Sequence, residues 1–144
     1  MDEQYSYRSG NHPIESIKSI ARFILAIGMI VVGLQHFVLP EGFAKIIPEF
    51  IPFPFTLVYL SGFLETIAGV GLLIPQFSQQ SAWMLVLLYI TVFPANLNQA
   101  INNIPVDALP HDPPLIWLRL PFQLFLVSWA WWLTRDRKRF PKIS

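Results

Sequence analysis

The sequence predicts an all-α protein, a four-transmembrane-helix bundle with a short interfacial helix between helices 1 and 2. The composition is the first reason. Of the 144 residues, 53% are hydrophobic and only 13% are charged, and the mean hydropathy is +0.48. A soluble domain is ordinarily about twice as charged. The second reason is a series of four apolar runs, each long enough for a helix that spans the roughly 30 Å hydrocarbon layer of a bilayer.

The four apolar runs follow one another with short connections. They are residues 20–39, 55–74, 82–101 and 115–133. Four helices this apolar in a soluble protein of this length would leave too little polar surface to coat them. The first run is not a signal peptide, because its apolar stretch is too long and no cleavage site of small residues follows it.

The charge distribution predicts the domain organisation and the orientation. Residues 1–19 form a cytoplasmic N-terminal segment, residues 20–133 the membrane domain and residues 134–144 a basic cytoplasmic tail. Basic residues concentrate on the cytoplasmic side of membrane proteins. Most of them flank the first and fourth runs: Arg8, Lys18, Arg22, Arg135, Arg137, Lys138, Arg139 and Lys142. Both termini are therefore expected in the cytoplasm.

Tryptophans near the end of the fourth run are expected at the cytoplasmic interface. Trp129, Trp131 and Trp132 lie there, and such residues form aromatic belts at membrane surfaces. The basic tail that follows is interpreted as a topology signal. A specific site for anionic lipid is the alternative.

The connection between the first two runs mixes charged and apolar residues. Phe43, Ile46, Ile47 and Phe50 have the i, i+3, i+4, i+7 spacing of one helix face. Pro48 would end a helix at that point. We expect a short helix from Glu41 to about residue 47, lying on the outer face of the membrane.

Polar side chains in the apolar runs fall at one depth. With alternating helix directions, all four runs place them in the half nearest the outer face. Polar residues that lie three or four positions apart in one run, such as Ser61 and Glu65, share one helix face. Such faces are expected to point into the bundle. The predicted polar cluster comprises His36, Ser61, Glu65, Asn96, Gln99, Arg119 and Gln123.

Glu65 is the residue of this cluster that most needs a partner, because a carboxylate is costly within a membrane. Arg119 is its predicted partner. Three interpretations stay open: a buried network that only fixes helix register, a ligand or proton site, or a residue that faces lipid or a second subunit. His36 alone is a poor metal ligand, and the absence of cysteine excludes thiolate sites and disulfides within this chain. No metal site is predicted, and no catalytic residue can be named.

Four blocks, "GLQHFVLP", "SGFLE", "VFPANLNQA" and "RLPFQ", occur in this order. Their order and spacing resemble those of the DoxX family of small four-helix membrane proteins, in particular its DoxX-like branch. The resemblance covers about residues 20–132. The matching residues are Gly33, His36, Phe37, Pro40, Pro48, Pro52, Ser61, Gly62, Glu65, Gly69, Pro94, Ala95, Asn96, Arg119, Pro121 and Gln123. One departure is the turn "QFSQQS", where that branch often carries an arginine.

The resemblance implies a bacterial inner-membrane protein. Some DoxX members are named as subunits of thiosulfate:quinone oxidoreductases, and others are linked to redox-stress complexes. It therefore implies an accessory or anchor subunit of a redox complex, with no intrinsic cofactor and no catalysis by the chain alone. Quinone is the candidate ligand, and His36, Asn96, Arg119 and Gln123 are the candidate donors to its carbonyl oxygens.

Two other functions stay open at this point. One is a structural or assembly scaffold whose polar cluster only holds the fold, and the other is a small proton-coupled transporter. The expected partners are the lipid bilayer, a redox protein and further copies of the chain. The net charge of +1 gives no reason to expect nucleic acid.

Overall fold

A computed structural model of the protein describes residues 12–106 and 112–135. These residues form five helices, which confirms the all-α prediction. They are α1 (His12–Val38), α2 (Pro40–Lys45), α3 (Pro54–Leu73), α4 (Ser78–Asn102) and α5 (Pro113–Thr134). The tail beyond Arg135, most of segment 1–19 and His111 lie outside the described residues.

The first helix begins well before the apolar run that predicts it. α1 starts at His12, so Lys18 and Arg22 lie within the helix and not ahead of it. Pro13 suits the first turn of a helix, and no glycine or proline follows until Gly28. Hydropathy marks the apolar part of a helix only, because backbone hydrogen bonds continue through polar residues.

Within the described residues, three helices are long and apolar enough to cross a membrane: residues 13–38 of α1, together with α3 and α4. Their outward faces carry large exposed hydrophobic side chains such as Phe23, Phe63 and Leu87. Apolar surface of this extent is typical of a protein surrounded by lipid. α5 has 22 residues and similar exposed side chains. Its Arg119, Gln123 and tryptophans lower its mean hydropathy.

The long helices pack in the order α1, α3, α4, α5, each against the next. Residue pairs show that neighbours are antiparallel: Gly33 lies against Thr66, Gly71 against Ser81, and Gln79 donates to the Thr134 carbonyl oxygen at 2.8 Å. No comparable backbone packing joins α1 to α5, or α3 to α5, among the described residues.

Glycines bring α1 and α3 into close contact. A Cβ atom built on Gly62 would lie 2.6 Å from His36 Cβ and 2.8 Å from the Gly33 carbonyl oxygen, and one on Gly69 would lie 2.8 Å from the Ala26 carbonyl oxygen. Small residues permit this approach between membrane helices. This close approach also sets the distance between His36 and Glu65, which lies about one turn from Gly62 on α3.

The half of the bundle nearest the chain termini is packed with hydrocarbon. Leu25, Ala68, Leu72, Leu85 and others form one buried cluster contributed by α1, α3, α4 and α5. The Tyr89 hydroxyl donates to Met29 Sδ at 2.8 Å within it. This agrees with the predicted concentration of polar residues toward the other end, which we call the site end.

The predicted helix between the first two long helices exists, but it is shorter than expected. It ends at Lys45, not near residue 47. Phe43 and Ile46 are buried in the protein, with 6% and 5% exposure, whereas Phe50 is 84% exposed. The apolar residues predicted to face the membrane surface therefore fall into two sets, one buried in the protein and one exposed. A helix-face pattern does not distinguish lipid from a neighbouring helix.

Candidate functional site

The last turns of α1 and the middle of α3 bring His36 and Glu65 together. His36 Nδ1 lies 3.3 Å from Glu65 Oε2. The same nitrogen lies 2.8 Å from the Val32 carbonyl oxygen. A carbonyl oxygen can only accept, so the Nδ1 hydrogen is directed to Val32 and is not available to the carboxyl group. The two side chains are in contact, but no hydrogen bond joins them.

Glu65 is consequently buried without a partner for one of its oxygens. The residue is 6% exposed, and Oε2 has no hydrogen bond. An unsatisfied buried polar group costs about 1–3 kcal/mol. Native proteins hold few such groups, and each needs a physical explanation.

An aromatic ring from α2 covers the His36 side of this pair. The Phe43 ring stacks on the His36 ring with centroids 3.9 Å apart and planes inclined by 15°. The cover is held from α4, because Asn98 Nδ2 donates to the Ile46 carbonyl oxygen at 2.9 Å. We call His36, Glu65 and Phe43 the histidine–glutamate pocket.

Four of the remaining predicted polar residues form a separate group between α4 and α5, the amide–arginine network: Asn96, Gln99, Arg119 and Gln123. Asn96 Nδ2 donates to Gln123 Oε1 at 2.8 Å, and Gln123 Nε2 donates to the Tyr89 carbonyl oxygen at 2.5 Å. Tyr89 precedes Pro94, the proline within α4. Pro94 has no N–H for the Ile90 carbonyl oxygen, and Gln123 donates to the adjacent carbonyl oxygen, that of Tyr89.

Gln99 and Arg119 complete this network nearer the site end. Gln99 is fully buried. Its Nε2 donates to the Ile104 carbonyl oxygen at 3.1 Å, and its Oε1 accepts from Arg119 Nη1 at 2.7 Å. Both ends of this amide are therefore satisfied. Arg119 Nη2 is buried and has no hydrogen-bond partner.

The predicted ion pair between Glu65 and Arg119 is wrong. Arg119 bonds to Gln99, and Glu65 faces His36. The reason is the packing order: α4 lies between α3 and α5, and it meets the guanidinium group first. In the described part of the chain, no hydrogen bond or ion pair connects the histidine–glutamate pocket to the amide–arginine network.

Ser61 does not join either group. Its hydroxyl donates to the Val58 carbonyl oxygen of its own helix at 3.0 Å. Conversely, the sequence interpretation missed Phe43 and Asn98, which form and hold the cover of the pocket. Asn98 lies two residues from Asn96 and so was not assigned to its face. Its single signal was an amide in an apolar run.

The side chains also bear on metal binding. Within residues 12–106 and 112–135, no three His, Cys, Asp or Glu side chains come together in a group that could hold a metal ion. His36 and Glu65 are two candidate ligands without a third.

Comparison with known proteins places most of this chain in one family. The family described as a domain of unknown function (DUF8561) matches residues 25–134, which include α2 to α5 and the pocket residues of α1. The chain therefore belongs to this family. No curated protein and no solved structure matches the chain. The resemblance to the DoxX family stays a prediction.

Proposed function

We propose that this member of the DUF8561 family is an integral membrane accessory or anchor subunit that binds a small molecule in the histidine–glutamate pocket. The protein lies in a bacterial inner membrane, with α5 as the fourth spanning helix and both termini in the cytoplasm. α2 lies at the outer face of the membrane. The molecule bound is a quinone, and the partner is a redox protein that supplies the electron-carrying cofactor.

One observation carries this proposal: Glu65 is buried with an oxygen that has no hydrogen bond. A group that only holds helices together is stabilising when it is paired. The unpaired oxygen supports a ligand that donates a hydrogen bond there. A hydroxyl group of a reduced quinone is such a donor, and Phe43 supplies an aromatic surface beside it.

The amide–arginine network supports a different role for the other half of the predicted cluster. Asn96 donates to Gln123 between α4 and α5. Gln123 and Gln99 each donate to a backbone carbonyl oxygen. Three of the four predicted quinone donors are thereby reassigned: Asn96 and Gln123 are engaged with one another, and His36 donates to Val32. Arg119 Nη2 is the buried donor that stays available.

The two alternatives are weighed by the same contacts. A scaffold role suits the amide–arginine network but leaves the unpaired oxygen of Glu65 unexplained. A proton-coupled transporter requires a polar path through the bundle. The buried cluster of Leu25, Ala68, Leu72 and Leu85 is apolar, which does not favour such a path.

Ligand binding is tested by thermal stability of the purified protein in detergent. A short-chain ubiquinone or a menaquinone, each added in its reduced quinol form, is expected to raise the denaturation temperature of the wild type, because its hydroxyl groups can donate to Glu65. Glu65→Gln is expected to abolish the increase, because the amide offers a different pattern of donors and acceptors to the ligand. Arg119→Gln alters the separate amide–arginine network and is expected to leave the increase in place.

The exposed Glu49→Gln variant is the matched control, and it should respond to quinone as the wild type does. If Glu65→Gln responds to quinone as fully as the wild type, the pocket is not the quinone site. If no quinone stabilises any variant and both substitutions lower stability, the scaffold role is the better account.

The cover formed by α2 controls access to Glu65. Two backbone features lie on either side of the segment that carries it: Leu39, just before α2, lies outside the helical region, and Phe53, just before α3, has a positive φ of 58°. A bulky residue in this left-handed region is strained by about 1–3 kcal/mol. A ligand reaches Glu65 when Phe43 leaves the His36 ring.

Removal of the aromatic cover is therefore expected to expose the carboxyl group. Phe43→Ala should increase labelling of Glu65 by dicyclohexylcarbodiimide, a reagent for carboxyl groups in apolar surroundings, several-fold over the wild type. Peptide mass spectrometry measures the modified fraction. Phe50→Ala, a change in the same segment at an exposed residue, is the control and should leave labelling unchanged. Equal labelling of all three proteins would show that Phe43 does not limit access.

A further inference from the structure

An open groove separates α1 from α5 near the ends of the bundle that carry the chain termini. Ala21 of α1 and Phe125, Ser128, Trp129 and Trp132 of α5 line it, and its volume is about 350 Å³. It follows from the packing order, since α1 and α5 lack the close backbone packing that joins the other neighbours in the described residues. The bundle is open on this side.

Polar groups of three residues lie at or beside the groove. The indole nitrogen of Trp129 is buried and has no hydrogen-bond partner. Lys18 Nζ lies 5.1 Å from the centre of the Trp132 ring, at the edge of the groove. Arg135 follows one turn after Trp132, with its guanidinium 4.0 Å from the Trp131 ring. The indole donor of a groove-lining residue, the Lys18 ammonium at the edge of the groove and the Arg135 guanidinium one turn beyond Trp132 complement an acceptor-rich, negatively charged headgroup.

From these features we propose that the groove binds an anionic phospholipid. One acyl chain lies between α1 and α5, and the Trp129 indole donates to an oxygen of the lipid. Lys18 and Arg135 attract the phosphate headgroup. This site is separate from the histidine–glutamate pocket, which lies at the site end of the bundle.

The size of the groove favours a lipid over a protein helix. A helix with its side chains is about 10–12 Å wide, whereas an acyl chain is a single file of methylene groups. The rings of Phe125 and Trp129 form one wall, with centroids 5.4 Å apart. Glu15 lies one turn before Lys18 on α1 and Arg22 lies one turn after it.

Native mass spectrometry of the full chain in detergent tests this site with phosphatidylglycerol and phosphatidylcholine of identical acyl chains. The wild type should retain phosphatidylglycerol in preference. Lys18→Gln should weaken phosphatidylglycerol binding about fivefold, as expected for loss of one basic residue near an anionic headgroup, and Lys18→Arg should not. Ala21→Phe, which fills the groove, should remove binding of both lipids.

Matched variants separate this site from general effects of charge and bulk. Lys45→Gln removes a cation at the opposite end of the bundle, and Ile27→Phe adds bulk to an exposed face of α1 outside the groove. Both should bind as the wild type does, and circular dichroism checks that every variant is folded. Equal retention of the two lipids, or unchanged binding in Ala21→Phe, would overturn the proposal. So would a dimer that Ala21→Phe dissociates while the wild type shows no lipid preference, because the groove would then belong to a second copy.

Discussion

Gly62→Ala is expected to lower the free energy of unfolding by about 1–3 kcal/mol, the usual range for overpacking. The added Cβ would meet His36 Cβ at 2.6 Å and the Gly33 carbonyl oxygen at 2.8 Å. Neither atom is the end of a flexible side chain, so α1 and α3 must separate. Denaturation in mixed micelles of a mild detergent and dodecyl sulfate measures the change.

Gly28→Ala is the matched control for this prediction, because it places the same methyl group on α1 with no atom within 4 Å. Alanine is the better helix former, by about 1 kcal/mol, so this variant should be as stable as the wild type or slightly more so. Gly69→Ala, which meets the Ala26 carbonyl oxygen at 2.8 Å, should behave as Gly62→Ala does. Equal stability of the Gly28 and Gly62 variants would show that α1 and α3 do not pack as described.

The position of His36 adds a second readout to Gly62→Ala. Since the new methyl group contacts the β-carbon of His36, it displaces the imidazole ring relative to Glu65 and Phe43. The variant is therefore expected to lose the stabilisation by quinone together with part of its stability. Gly69→Ala lies about two turns farther along α3 and should retain more of the ligand response.

Glu65→Met is expected to raise the stability of the ligand-free protein. The methionine side chain is close in length to glutamate and removes the buried oxygen that has no hydrogen bond. The expected gain is about 1–3 kcal/mol, the usual cost of one unsatisfied buried group. Such a gain is typical of a residue kept for function at the expense of stability. The measurement is the same denaturation experiment without added ligand.

Gln99→Met provides the contrast, because Gln99 is buried and hydrogen-bonded at both ends of its amide. That variant leaves Arg119 Nη1 and the Ile104 carbonyl oxygen without their partner. It should lose about 1–2 kcal/mol, the upper range for side-chain hydrogen bonds between membrane helices. If Glu65→Met also lowers stability, Glu65 holds the helices and the scaffold role is favoured over a binding pocket.

The helices could be predicted from the sequence because their signal is local. A run of about 20 apolar residues needs no knowledge of its neighbours to be assigned to a membrane helix. The ends were harder: α1 begins at His12 and α2 ends at Lys45. Polar residues at the start of α1 extend the helix without adding to its apolar signal. Ile46, the residue after α2, is buried although it no longer belongs to that helix.

Assembly of the site could be predicted only in part. The sequence placed the polar residues at one depth, and the hydrogen bonds at the site end agree with that depth. It did not show which helix lies beside which. The assignment of Arg119 to Glu65 failed for this reason, because depth restricts a side chain along the helix axis and leaves its neighbour around the bundle undetermined.

The amino-acid sequence by itself determined the helical class, the apolar segments and the depth of the polar side chains, since each depends on the period and composition of one segment. Only the tertiary structure decided that Glu65 faces His36 under Phe43, that Arg119 bonds to Gln99, and that a groove opens between α1 and α5. The physical reason is the close approach at Gly33, Gly62 and Gly69. It sets α3 against α1 and so brings Glu65 to His36. Because α4 packs between α3 and α5, the carboxyl group of Glu65 lacks the partner that depth alone had predicted.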